Sequence, residues 1–252
     1  MMLNFLSAQL LAPVFLIVFF ILLLVFTALA KKQRRPLREI PGFLQLRKAV
    51  GQAVEAGSRL QIALGSRGLY DQDGASALAG LTILQRIAQA ASISDRPPIA
   101  TAGDSQVALL SQDTLQSAYR SARAENQYNP MAGRLTGVTP FSYAAGAMST
   151  IHDEHVSATI VMGHMGSEVG LLVAATEQTH GQSLGGSDNL SGQAVLYMAD
   201  QEPIIGEEIF AGGAYLSSNP AHHASLQVQD IARWVIIVAI LVGAVARLVG
   251  LM

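Results

Sequence analysis

The sequence predicts an α/β fold: one soluble domain with a mostly parallel sheet, flanked by an N-terminal and a C-terminal transmembrane helix. Three observations carry this. Leu10 to Ala30 is a 21-residue run without a charge, and Trp234 to Gly250 is a second apolar run. About 20 apolar residues rising 1.5 Å each cross a bilayer core of roughly 30 Å. Between the runs, short β-branched segments alternate with segments of helical periodicity, which is how βαβ units read. The expected order is an external N-terminus (1–9), a first span (10–30), a basic connector (31–42), a cytoplasmic α/β domain (43–230) and a second span (231–252).

The spans are oriented by charge. Met1 to Gln9 carries no charged side chain, whereas Lys31, Lys32, Arg34, Arg35 and Arg38 follow the first run. Lys and Arg collect on the cytoplasmic side of a span. The N-terminus and C-terminus are therefore expected outside, with the domain in the cytoplasm beneath the inner membrane. Lys31, Lys32, Arg34, Arg35 and Arg38 would meet anionic lipid headgroups, and so would Arg233 and Trp234 at the second span. Ala28-Leu29-Ala30 resembles a signal-peptide cleavage site, but no basic segment precedes it and five basic residues follow. Arg247, near the outer helix end, is expected to snorkel. Ala239/Gly243 and Ala246/Gly250 have the small-residue spacing that lets helices approach.

Each element of the domain has a local cause. Phe43, Leu46, Val50 and Val54 lie at helical spacing, with Gly57 as a stop. Arg59 to Leu64 reads as a strand, followed by a glycine- and aspartate-bearing loop, Gly65 to Gly74. Ser76 to Ala91 reads as a helix ended by Asp95-Arg96-Pro97-Pro98. Ile99 to Ala102 is a strand. Asp104 or Ser105 caps a helix to Leu110, and a separate one is expected from Asp113 to Glu125. Leu135 to Thr139 reads as a strand and Phe141 to Met148 as a helix of small residues. Val156 to Met162 is the clearest strand. Ser167 to Glu177 reads as a helix, Ser183 to Gly186 as a tight turn, Asp188 as the cap of a helix to Ala199, and Ile204 to Leu216 as a further helix. Ser225 onward runs into the second span.

Composition limits the chemistry. There is no cysteine, so disulfides, thiolate zinc sites and cysteine nucleophiles are excluded. Residues 31–134 hold 14 Lys/Arg and 8 Asp/Glu, whereas residues 135–232 hold 10 Asp/Glu and no Lys or Arg. Such asymmetry is satisfied by pairing within the fold, by contact between subunits or by divalent cations. The one basic cluster is juxtamembrane, so no nucleic-acid partner is expected. No cofactor is predicted and no residue is assigned as catalytic or metal-ligating.

The strongest candidate for ligand binding is Gly163, His164, Gly166, Ser167 and Glu168, between a strand and a helix. Glycines allow a tight turn, helix N–H groups favour anions, and ligands of open α/β sheets bind beyond strand carboxyl ends. The spacing is neither G-x-G-x-x-G nor a P-loop. Gly103-Asp104-Ser105 is a similar turn. His152-Asp153-Glu154-His155 reads as a polar loop whose neighbours cannot converge on one ion without His164, His180 or an acidic residue folded nearby. Glu207-Glu208 reads as a solvated helix face, and His222-His223 as a solvated pair near the membrane.

Ser94 to Pro98, Thr139 to Gly146, Gly163 to Glu168 and Ile205 to Ala211 resemble an uncharacterised family of bacterial membrane proteins with a central domain of unknown function. The resemblance implies one unit over most of residues 40–250 and no activity. The expected function is assembly or scaffolding as a homo-oligomer or membrane complex. The first alternative is a membrane-tethered sensor of a small anion at residues 163–168. The second is a metal-dependent enzyme using His152, His155, His164 and Glu168.

Overall fold

The computed structural model describes residues 13–14, 16–28, 37–199, 202–216 and 220–248. The chain forms two compact units, one of residues 38–217 and one of residues 1–37 with 218–252. Lys31, Lys32, Arg34 and Arg35, the predicted headgroup contacts, lie outside the described residues.

The 38–217 unit is an α/β domain around a six-stranded, wholly parallel sheet of order β3-β2-β1-β4-β5-β6. The strands are β1 (Arg59–Gly65), β2 (Ile99–Ala102), β3 (Gly133–Leu135), β4 (Val156–His164), β5 (Gln182–Ser187) and β6 (Ile204–Ile205). Counting the N-terminal apolar helix as α1 (Leu16–Ala28), the domain's helices are α2 (Pro41–Glu55), α3 (Gly74–Ala90), α4 (Ser105–Ser121), α5 (Pro140–Asp153), α6 (Val169–Gln178), α7 (Leu190–Ala199) and α8 (Glu208–Leu216). On one face α3 packs against α2, α4 and α8; on the other α5 packs on α6 and α6 on α7. Both faces are thus covered, which is why β1 and β4 are buried nearly throughout. The second face buries Tyr143, Ala147, Ile151, Val161, Met165, Val169, Leu172 and Leu196 in one cluster.

Several elements differ from the sequence reading, each for a physical reason. The two helices expected between Asp104 and Glu125 are one, α4; Ser111 does not break it because its hydroxyl donates to the Ala108 carbonyl within the helix. Asp104 does cap it, accepting from the Gln106 and Val107 N–H groups. The third strand is Gly133–Leu135 rather than 135–139, because Thr139 and Ser142 form a capping box with Pro140 in the first turn. That helix continues to Asp153. His152 and Asp153 are therefore its last turn, not a loop.

The largest difference is at residues 183–186. The expected tight turn is the middle of β5. Gly185 has φ +114°, and a Cβ there would collide with the Val161 carbonyl; at Gly186 it would collide with that of Ile204. These glycines let neighbouring strands approach, rather than turning the chain. Beyond β5, Asn189 and not Asp188 supplies the cap, accepting from the Ser191 N–H. The helix expected from Ile204 is a short strand and then α8, separated by Gly206 at φ +57°. Phe43 of α2 stacks on Tyr215 of α8 with centroids 4.9 Å apart.

In the other unit, α9 (Pro220–Leu248) carries the second apolar run. Among the described residues, its 221–248 stretch is the one helix long and apolar enough to cross a membrane by length and composition; α1 is a shorter apolar helix. Trp234 and most apolar residues after it are exposed.

Candidate functional site at the carboxyl edge of the sheet

The sheet order reverses between β1 and β4. From β1 the chain leaves to α3 on one face, and from β4 to α6 on the other. Such switch points open a crevice outside the strand carboxyl ends, where doubly wound sheets hold ligands. Here the two strands end in close contact. Gly65 pairs with His164, has φ +86°, and leaves no room for a Cβ beside the His164 carbonyl.

The predicted ligand turn lies at this place, in a different form. Gly163 and His164 are the last two residues of β4 rather than part of the turn. Met165 is buried, its N–H and carbonyl both bonded to the Ser187 hydroxyl. The turn itself is closed by the Val169 N–H on the Gly166 carbonyl, with Ser167 and Glu168 at its centre. Glu168 is only 6% exposed, and its Oε1 accepts from the Gly166 N–H at 2.8 Å. The N–H that an anion would use already serves a carboxylate of the chain.

His164 is where the loops converge. Its Nδ1 lies 2.9 Å from Asp188 Oδ1, in the β5–α7 loop, and 3.7 Å from Asp73 Oδ2, at the end of the β1–α3 loop. The imidazole is 12% exposed, Asp188 17% and Asp73 46%. The Nε2 faces Asn189 Nδ2 at 3.2 Å. The Asn189 oxygen is fully engaged, accepting from the Ser191 N–H and hydroxyl. Its amide group therefore donates to Nε2, and the proton of the neutral ring resides on Nδ1. Despite the 2.9 Å approach, Nδ1 and Asp188 Oδ1 miss hydrogen-bond alignment, so both fully buried atoms lack a hydrogen-bond partner. One donor atom from each of Asp73, His164 and Asp188 falls within 4.8 Å of the others, the spacing of a candidate metal site.

Beneath the edge lies a neutral polar network. The Tyr143 hydroxyl accepts from the Gly65 N–H and sits within hydrogen-bond reach of Thr101. Burial pushes its pKa up to about 12. Gln61 donates to Thr101 Oγ1 and the Ala147 carbonyl. Tyr143 thus ties α5 to the end of β1.

The histidines proposed to join His164 do not. His155 precedes β4 and His164 ends it, so a strand of nine residues, roughly 30 Å at 3.3 Å each, separates them. His152 is on the preceding helix and His180 just before β5, both also at the amino edge. Arg38 forms an ion pair with Glu208 while remaining 78% exposed. Arg233 and Trp234 lie on α9, Arg233 reaching Asp230 at 3.9 Å. A polar cleft of about 440 Å³ opens at the amino edge by Lys48, Glu177 and Ser183, and an apolar one of about 410 Å³ by Val50, Ile87 and Ile93. Among the described residues, it is the carboxyl edge that brings three potential metal ligands within 4.8 Å of one another.

Asp73, Asp188 and Asn189 escaped the sequence reading as site residues. The only local cue is position: Asp73 lies in the loop after β1, and Asp188 and Asn189 lie in the loop after β5. No curated protein and no solved structure matches the chain. A family model matches residues 2–252, nearly the whole length. By that match the chain belongs to the family described as domain of unknown function DUF6754.

Proposed function

We propose that this chain is a membrane-tethered sensor whose domain binds a small ligand at the carboxyl edge, between the ends of β1 and β4. One observation carries the reading: the end of β4 and two loops distant in sequence bring His164, Asp73 and Asp188 with Asn189 to the switch point of a doubly wound sheet. A switch point is where such folds keep ligands, although the fold alone names no ligand. The apolar α9 supplies the tether, and the first apolar run a second one. The uncharged Met1 to Gln9 and the basic cluster from Lys31 to Arg38 support a cytoplasmic domain with both termini outside.

The test is thermal unfolding of the full chain in mild detergent across a panel of nucleotides, phosphorylated metabolites and small amines. A ligand at 100 times its Kd stabilises by about 2.7 kcal/mol, a shift of several degrees. The shift should vanish in Gly166→Val, whose side chain would displace the Glu168 carboxylate. A panel without a hit, or a hit indifferent to Gly166→Val, retires this site.

A second reading is assembly into a homo-oligomer. It is favoured by Leu190, Tyr197 and Met198, which stand exposed on α7. Native mass measurement in mild detergent decides it: a defined oligomer dissociated by Tyr197→Asp supports it, and a monomer ends it.

A further inference from the structure

We infer that Asp73, His164 and Asp188 form a binding site for one divalent first-row transition ion, which gives the carboxyl edge its affinity for an anionic ligand. The inference rests on the sensor reading and names the chemistry of its site.

The donor set is the first argument. One imidazole nitrogen and two carboxylate oxygens suit zinc or manganese better than calcium or magnesium, which favour oxygen alone. Donors about 2.0–2.2 Å from a common ion lie roughly 3–3.5 Å apart. The Nδ1 separations of 2.9 Å to Asp188 and 3.7 Å to Asp73 bracket that range. The second argument is independent of proximity. Buried polar atoms are almost always hydrogen-bonded. Nδ1 and Asp188 Oδ1 are both buried, both without a hydrogen-bond partner, and adjacent without bonding to each other. An ion bound by both, to one side of the line joining them, satisfies both. The third argument is charge. The two carboxylates balance one divalent ion, and three protein donors leave coordination positions open. A bare anion at this edge would face Asp73, Asp188 and the nearly buried Glu168; an ion-bound site inverts that field.

Asn189 sets a cost. In the metal-free protein its amide donates to Nε2 and keeps the ring proton on Nδ1. When the ion takes Nδ1, the proton moves to Nε2 and faces the amide nitrogen. A ligating histidine normally donates its other N–H to an acceptor. Asn189→Asp supplies that acceptor while keeping an oxygen for the Ser191 cap, so this substitution should tighten the site.

The experiment is titration of the chelator-treated full chain in mild detergent with zinc or manganese chloride alone, followed by calorimetry. The expected result is one ion per chain, with affinity roughly 10–100-fold weaker in Asp73→Asn and Asp188→Asn and lost in His164→Ala. Binding should be tighter in Asn189→Asp. Asp73 is half exposed, so Asp73→Asn tests the site without threatening the fold, and melting curves of the metal-free variants verify this. No ion bound by the wild type, or binding undiminished in Asp73→Asn and His164→Ala, overturns the inference. The organic panel separates the two failures: a hit sensitive to Gly166→Val without any bound ion leaves the sensor reading standing and removes only the metal.

Discussion

Glu154 shows how single side chains join distant parts of this chain. Its carboxylate takes Arg59 of β1 and Arg134 of β3 at once. Burial works against its charge, but the Arg134 hydrogen bond and the nearby Arg59 and Arg134 charges outweigh it and hold its pKa below the ordinary value of about 4.5. A carboxyl with a depressed folded pKa stabilises above its unfolded pKa, and that contribution fades as pH falls through the folded value. Glu154→Gln should therefore cost about 1–2 kcal/mol at pH 7, as a partly solvated charged pair does. The deficit should shrink below pH 4.5 in urea unfolding curves recorded at both pH values. At this scale the sequence was half informative. His164 was singled out by its place after a strong strand. Asp73 was not, because a loop aspartate looks like every other until the fold puts it 3.7 Å from an imidazole.

Elements were legible where their signal was local. The apolar spacing of Leu46, Val50 and Val54, the Asp104 cap and the β-branched run at 156–162 all produced the elements they predict. The β5 strand departs from the sequence reading because Gly185-Gly186 resembles a turn, whereas a Cβ at these positions would collide with the Val161 carbonyl of β4 and the Ile204 carbonyl of β6. Glycine at a strand contact is a property of the neighbour, which no local window contains. The same logic gives a prediction at Gly163, where a Cβ would collide with the Leu64 carbonyl at the β1–β4 junction. Gly163→Ala should cost about 1–3 kcal/mol by forcing the strands apart. The effect should appear as a lower urea midpoint with an unchanged slope. An unchanged midpoint would mean the junction yields without cost.

For the whole molecule, the uneven charge has a partial account inside the domain. The acidic second half lends Glu154 to Arg59 and Arg134, and Glu208 to Arg38. Internal pairing is therefore present, without intersubunit contact being required for these groups. The proposed topology is testable because the chain has no cysteine, so one introduced thiol is the sole label. In intact cells an impermeant maleimide should label Ser7→Cys and leave Ser121→Cys unlabelled until the membrane is opened. The reverse pattern would place the domain outside.

The adjacency of β1 and β4 also governs the order in which this chain can fold. Their paired residues lie about 100 positions apart, with β2, β3 and three helices between them. Closing so long a loop costs chain entropy before any strand contact rewards it, and sheets built this way fold slowly. During synthesis β1 can recruit β2 and β3, but the N–H and C=O groups of its other edge wait unpaired until the ribosome has passed residue 164. A nascent chain held in that state presents the kind of surface that chaperones shield and that aggregation exploits.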